Sequence, residues 1–155
     1  MDKLHFTTRI DAPVHTVWRT MLDQSTYREW TRPFHDGSHY VGSWELGRAI
    51  RFLAPGDDGT LSGLVATVVQ NRPEEFISLE YRGEVSGGID DTTSAHARRF
   101  AGAHEDYSFS EADGVTTLVV EVDTDEAFTA MFAAQWPRAL ARLTELAEER
   151  ASAAD

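Results

Sequence analysis

The side chains best suited to chemistry are the histidines, of which the chain has six, and the carboxylates near two of them. His96 and His104 flank a polar stretch, with Asp90 before it and Glu105 and Asp106 directly after it. Imidazoles and carboxylates in such a cluster can bind a divalent ion or transfer protons. The same composition is typical of a solvated acidic loop, and no His-x-His or His-Glu-x-x-His spacing occurs. We therefore predict no metal site.

Nucleophile and phosphate-binding motifs are absent from the sequence. There is no Cys, which excludes thiol nucleophiles, disulfides and thiolate zinc sites together. No Gly-x-Ser-x-Gly motif occurs. Gly37, Gly42 and Gly47 lack the spacing of a dinucleotide-binding fingerprint or a P-loop. These patterns predict no cofactor.

The elements that must position the remaining candidates begin with a strand and two short helices. Residues 4–10 alternate between apolar and polar side chains, which is the period of a half-buried β-strand. Pro13 then suits the start of a helix. The apolar residues of Val14–Leu22 recur at helical spacing, which predicts an amphipathic helix of two to three turns. Gln24–Trp30 predicts a second short helix.

Six further strand patterns, separated by turn residues, predict an antiparallel meander. Residues 83–104 break this series of strands, and we expect them to form either a mobile lid or a partly helical segment. Ser94–Ala101 is long enough for two helical turns. A helical pattern from about Asp125 to Arg150 ends the chain, and Pro137 should bend that helix. The six predicted strands are residues 40–44, 47–53, 61–70, 76–82, 105–111 and 115–122.

Composition and charge limit the possible partners. The chain has 155 residues, with 14 Lys and Arg against 26 Asp and Glu and a net charge of −12. This length predicts one domain over residues 1–155, with an ordered core at about 3–148. The negative charge disfavours nucleic-acid and membrane-surface partners. Leu64–Val69 is far shorter than the ~20 apolar residues of a membrane span. Residues 1–6 do not resemble a signal peptide, so we expect a soluble cytoplasmic protein.

Several segments resemble one protein superfamily. Ile10–Trp18 resembles the opening I-x-A-P-x-x-x-V-W of START-like (SRPBCC) domains, and Tyr27-x-x-Trp30 follows where they often carry a Trp. Ala101–Phe109 and Met131–Leu143 resemble the branch related to the activator of the heat-shock-protein ATPase. The resemblance, over residues 3–148, implies an α+β helix-grip fold. In this fold a curved antiparallel β-sheet wraps around a long C-terminal α-helix, two short helices follow strand 1, and a cavity lies between sheet and helix.

The implied cavity makes the aromatic side chains the main candidates for binding. Aromatic walls with a few polar tips suit flat apolar ligands, although core packing is the alternative role of each residue. Trp30 and Trp136 are the strongest candidates, because they lie on the short helices and the Pro-containing helix, where this fold opens its cavity. The predicted ligand-binding residues are Trp18, Tyr27, Trp30, Phe34, Trp44, Phe52, Tyr81, Tyr107, Phe109, Phe128, Phe132 and Trp136.

Three functions remain open at this stage. The first is non-catalytic binding of a small hydrophobic or aromatic molecule by a monomer or homodimer, without a cofactor. The second is an enzyme of cyclase or dehydratase type that uses the same cavity. The third is a co-chaperone-like interaction module, which a wide apolar patch on the outer sheet face would favour.

The absence of catalysis gives a specific structural prediction. Glu80 alternates with Leu79 and is therefore expected to face solvent. Most other carboxylates lie in turns or on the last helix, where water keeps their pKa values ordinary. Only Glu80, Asp106, His35 and His96 are considered as exceptions. We predict no buried carboxylate–His or carboxylate–Tyr pair at the cavity floor.

Overall fold

The computed structural model describes residues 1–154, which form an eight-stranded antiparallel sheet and three α-helices. The predicted order of elements is confirmed, and one short strand, β6, is added to it. The strands are β1 (Asp2–Ile10), β2 (His39–Gly42), β3 (Ala49–Pro55), β4 (Leu61–Arg72), β5 (Phe76–Ser86), β6 (Ile89–Asp91), β7 (His104–Ala112) and β8 (Val115–Thr124). The helices are α1 (Val14–Leu22), α2 (Gln24–Trp30) and α3 (Thr129–Ala153).

The sheet is a meander to which the first strand is added at one edge. Its strand order is β1-β8-β7-β5-β4-β3-β2, and β6 pairs with β5 outside this path. β1 runs antiparallel to β8, with Asp2 opposite Thr124 and Ile10 opposite Thr116. The two helices that follow β1 therefore connect one edge of the sheet to the other.

One face of the curved sheet, here called the inner face, packs against α3. Leu140 and Leu143 of α3 are buried in the same core as Leu118 and Val120 of β8. Burying each such side chain contributes about 1.5–3 kcal/mol. Thr116 and the following even-numbered residues of β8 are buried, and their neighbours are half-buried, as a strand with one core face requires. The predicted α+β helix-grip fold is confirmed.

Residues 83–104 contain strand, a turn and less helix than the two turns expected at Ser94–Ala101. β5 continues to Ser86, and Gly87 and Gly88 form a turn with φ values of +58° and +79°. β6 then pairs back onto β5. A single 3₁₀ turn at Ala97–Arg99 replaces the expected two helical turns. Positive φ favours glycine, so the Gly-Gly pair marks a hairpin turn rather than a loop.

α3 begins at Thr129, later than the helical pattern suggested. Glu126–Phe128 forms a 3₁₀ turn, and the Asp125 carboxylate accepts a hydrogen bond from the Ala127 backbone N–H at 2.9 Å. The helix continues through Pro137, which has no N–H to donate to the preceding turn. Within residues 1–154, no helix is both long and apolar enough to cross a membrane.

Candidate functional site

A cavity of about 220 Å³ lies between the inner face of the sheet, α2 and the first half of α3. β3, β4, β5 and β7 supply its sheet side, while α2 and α3 supply its helical side. The lining residues His35, Ser38 and Ser62 are exposed or half-exposed, so they mark the mouth. The cavity is therefore open to solvent at one end and enclosed by aromatic and aliphatic side chains elsewhere.

The aromatic wall is built around Trp136 of α3. Its ring centroid lies 6.0 Å from that of Trp30, 5.0 Å from that of Phe34 and 6.3 Å from that of Tyr107. The Trp30 indole N–H donates to the Met21 carbonyl at 3.0 Å. Because this polar group is satisfied inside the core, Trp30 offers only ring surface to the cavity.

The floor of the cavity is polar and consists of Glu105 and two tyrosines. The Tyr81 hydroxyl donates to Glu105 Oε1 at 3.0 Å, and the Tyr107 hydroxyl donates to Glu105 Oε2. Tyr107 and Glu105 lie on β7, and Tyr81 lies on the neighbouring β5. Alternation along β7 points Glu105, Tyr107 and Phe109 toward the inner face. Both carboxylate oxygens are thus held by neutral donors from two strands.

Burial changes the acid–base properties of this group. Loss of solvent raises the pKa of the Glu105 carboxyl, the hydrogen bonds from Tyr107 and Tyr81 oppose that change, and the nearby charge of Asp106 adds to it. Burial and then the charge of Glu105 raise the pKa values of Tyr81, Tyr107 and Tyr27 well above the ordinary tyrosine value. The tyrosines therefore remain protonated donors, and the pKa of Glu105 is shifted upward from the ordinary carboxyl value.

A second, smaller cavity of about 50 Å³ reaches Glu105 from the other side. It shares Leu64, Tyr81 and Phe132 with the first cavity, and Arg99 and Phe128 belong to its own lining. Glu105 therefore keeps a half-exposed surface through the two cavities, although protein atoms surround it. Arg99 is occupied by an ion pair with Asp125 at 3.2 Å.

The twelve aromatic residues named from the sequence do not all meet at one place. Phe128 lines only the second cavity and an adjoining surface groove. Trp18 and Phe109 pack against each other at 5.1 Å, away from both cavities. Trp44 packs on Tyr40 at 5.3 Å and donates its indole N–H to the Leu22 carbonyl. Eight of the twelve aromatic residues line the main cavity, namely Tyr27, Trp30, Phe34, Phe52, Tyr81, Tyr107, Phe132 and Trp136.

The prediction that no buried carboxylate–Tyr pair occupies the cavity floor is wrong. Glu105 forms that pair with both Tyr81 and Tyr107, and it is not among the exceptions that the sequence analysis considers. The signal that could have found it is the alternation Glu105-x-Tyr107-x-Phe109, which puts the carboxylate on the aromatic face of the strand. This finding gives the enzyme alternative an acid–base group that the sequence analysis did not identify.

The carboxylate and histidine residues considered as a cluster around His96 and His104 are divided by the sheet. His104 lies on the outer face, where its ring contacts Ser78 at 3.3 Å and Glu80 at 3.3 Å. Asp106 is on the same face and accepts a hydrogen bond from the Ser78 hydroxyl at 2.5 Å. His96 instead contacts Glu84 at 2.7 Å. No group of three His, Asp or Glu side chains in the described part of the chain is arranged to hold a metal ion.

The family is established by a match over residues 1–149: the chain belongs to the polyketide cyclase/dehydrase and lipid transport family. This membership confirms the predicted START-like resemblance. No significant match to a curated protein is found.

Similar solved structures share the fold at low sequence identity. A protein from Mesorhizobium loti has a TM-score of 0.69 and 15% identity, with 96% of this chain and 98% of that chain covered. A protein from Arthrobacter aurescens has a TM-score of 0.71 and 13% identity, with coverage of 95% and 86%. The Aha1 dimer from Colwellia psychrerythraea has a TM-score of 0.69 and 12% identity, with coverage of 96% and 97%.

Proposed function

We propose that this protein binds a small, flat, largely apolar molecule in the main cavity, with the polar group of the ligand on Glu105. The observation that carries the proposal is the combination of an aromatic wall around Trp136 with a single carboxylate at the floor. Such a cavity stabilises a flat ring by contact with its faces and orients the ring through one polar contact.

The size of the cavity restricts the ligand. Sites for drug-sized molecules usually have volumes of ~300–1,000 Å³. The 220 Å³ available here suits a molecule of one or two fused rings better than a long lipid chain. The exposed mouth beside His35 and Ser62 gives such a molecule a route to the floor.

Native mass spectrometry of the freshly purified protein tests this proposal. We expect an adduct of small mass that disappears on denaturation. A matched variant, Leu64→Trp, adds bulk to the cavity wall and should reduce the adduct, whereas Val41→Trp adds the same side chain at an exposed position of β2 and should retain it. Equal adducts in the two variants, with both folded by circular dichroism, would place the ligand elsewhere.

Acid–base catalysis in the same cavity is a second candidate function, and Glu105 is the observation that favours it. For a β-hydroxy ketone, ionised Glu105 would take the proton from the carbon between the two functional groups. The C–O bond would then break as the C=C bond forms, and the proton on Glu105 would leave with the hydroxide as water. Once Glu105 takes the proton, it needs fewer donors, and one of the two tyrosine hydroxyls would then donate its hydrogen bond to the carbonyl oxygen as that oxygen gains negative charge.

Dehydration of 4-hydroxy-4-(2-naphthyl)butan-2-one, followed by the absorbance of the conjugated product, tests this second function. Glu105→Gln should abolish turnover, whereas Glu75→Gln, which removes the same charge at an exposed turn, should not change it. Equal rates in the two variants would eliminate Glu105 as the base.

The co-chaperone-like alternative has less support from the outer face of the sheet. That face carries an ion pair between Arg82 and Glu80 and the polar contacts of Ser78, His104 and Asp106. A wide apolar patch was the feature expected for protein docking, and these charged side chains occupy the middle of the face instead.

A further inference from the structure

The charge of Glu105 has no counter-ion within the main cavity. Among residues 1–154, no Lys or Arg lines this cavity. The groups that touch the carboxylate are the neutral hydroxyls of Tyr81 and Tyr107. The Arg99 guanidinium at the second cavity pairs with Asp125 and lies 5.7 Å from the centre of the Phe128 ring. Ionised groups inside proteins are normally paired, and a cationic ligand would supply the partner that an ionised Glu105 lacks in this cavity.

The aromatic wall favours a positively charged ligand. Aromatic rings carry negative charge on their faces, so a cation within about 6 Å of a ring centre is attracted and an anion is repelled. Trp30, Phe34 and Trp136 line the approach to the floor, together with Tyr27 and Phe52, whose ring centres are 6.1 Å apart. A cation that reaches Glu105 therefore passes several aromatic rings on its way.

The net charge of the whole protein also favours a positively charged ligand. The chain has a net charge of −12, which raises the concentration of small cations near the surface and lowers that of anions. His35 lies at the exposed mouth, where its Nδ1 contacts the Asp36 carbonyl at 2.8 Å, and not at the floor.

We infer that the ligand of this cavity is a protonated amine carried by a flat apolar ring system, and that its N–H groups donate hydrogen bonds to Glu105. The inference rests on the proposed binding function and adds the chemical class of the ligand. An anionic ligand such as a carboxylate is excluded by the same arrangement, because its charge would meet Glu105 without a basic residue between them. A neutral alcohol satisfies the hydrogen bond but leaves the carboxylate charge unpaired.

Three naphthalene probes of similar shape, one cationic, one neutral and one anionic, test this inference. 1-Naphthylmethylamine, 1-naphthylmethanol and 1-naphthoic acid are titrated into the wild-type protein at pH 7 by calorimetry. We expect the amine to bind about tenfold more tightly than the alcohol, and the acid to bind most weakly. Glu105→Gln should bring the amine to the affinity of the alcohol, while Glu75→Gln, the exposed control, should keep the preference.

The outcomes separate this inference from the function on which it rests. If the alcohol binds as tightly as the amine, or the acid binds best, the cationic class is wrong and binding in the cavity stands. If none of the probes binds and no adduct co-purifies, both proposals fail. The ranking in the wild-type protein decides the question even if Glu105→Gln does not fold.

Discussion

Tyr107 and Glu105 lie two residues apart on β7, and the Tyr107 hydroxyl donates a hydrogen bond to the Glu105 carboxylate on the inner face of the sheet. Residues i and i+2 of a strand point to the same side, so the pair is held by the backbone of one strand. Tyr81 of β5 completes the arrangement from the side. The carboxylate is thus oriented by donors from two paired strands that cannot move independently.

Removing one of these hydrogen-bond donors should destabilise the protein, because the buried carboxylate then loses a partner. We expect Tyr107→Phe to destabilise the protein by about 1–3 kcal/mol, because a buried charged acceptor loses a donor. In a Glu105→Gln background the same change should cost less. Urea unfolding of the wild type, both single variants and the double variant measures the coupling energy between the two residues.

Tyr40 provides the matched control for this cycle. Its hydroxyl donates to the Leu22 backbone carbonyl at 2.6 Å, a neutral acceptor. Tyr40→Phe should therefore cost the same in the wild type and in Glu105→Gln. A coupling energy near zero for Tyr107, equal to that of Tyr40, would contradict the hydrogen bond to Glu105.

Glu105 should also make the stability depend on pH in a defined direction. Burial raises its pKa in the folded state, so the folded protein binds this proton more tightly than the unfolded chain does. Stability from Glu105 is therefore present below the ordinary Glu pKa of ~4.3 and is lost as the pH rises through the higher folded value. The Glu105→Gln variant has no carboxyl group at this position, so it does not lose this stability as the pH rises. The difference in unfolding free energy between the variant and the wild type should grow in favour of the variant as the pH rises from 4 to 7.

The comparison with Glu105→Gln isolates this one group. Asp90, Asp123 and Asp125 have lowered pKa values and contribute stability in the opposite direction, but they are present in both proteins and cancel in the difference. A difference that stays constant with pH, or that shrinks, would show that the carboxylate does not have a raised pKa in the folded protein.

The sequence predicts the fold well because most of its elements have strong periodic patterns. Val14–Leu22 and Gln24–Trp30 are helices at the predicted bounds, and the alternation in β1 and β8 gives their core faces directly. β6 is missed because its three residues are exposed or half-exposed and carry no apolar pattern. Its place depends on the Gly87–Gly88 turn and on backbone pairing with β5.

The site is predicted less completely for a physical reason. A charged residue in a strand pattern is normally expected on the solvent face, so the strand pattern at 105–111 does not by itself predict that Glu105 faces the cavity. Its burial depends on two tyrosines, of which Tyr81 lies 24 residues away and meets it only through the β5–β7 pairing. Likewise, nothing in the spacing of Trp18 and Trp44 distinguishes core packing from a cavity wall. These distinctions require the three-dimensional packing.

Gly63 should be essential to the wall of the cavity. It lies on β4 opposite Leu53 of β3, and a Cβ atom at this position would lie 1.8 Å from the Phe52 carbonyl oxygen. Backbone must shift to accept a methyl group there, so Gly63→Ala should destabilise the protein by about 1–3 kcal/mol. Gly56→Ala is the control, because its Cβ would meet no atom closer than 3.6 Å. Thermal unfolding checks the pair, and equal melting temperatures would contradict the close approach of β3 and β4.

The tryptophans provide the last test, because two of the four lie at the cavity and two do not. Trp18→Phe/Trp44→Phe removes the two tryptophans that do not line the cavity and leaves Trp30 and Trp136, whose ring centres are 6.0 Å apart. Titration of this variant with an apolar fluorophore that absorbs Trp emission should still quench its fluorescence.

Phe34→Ala in that background then tests the aromatic wall itself. Phe34 is half-buried and packs edge-on against Trp136 at 5.0 Å, so its loss should weaken fluorophore binding more than it weakens the fold. Val41→Ala, at an exposed position of β2, is the control and should change neither property. If quenching instead disappears when Trp18 and Trp44 are replaced, the fluorophore binds near those residues. The assignment of the ligand to the Trp30–Trp136 cavity would then be wrong.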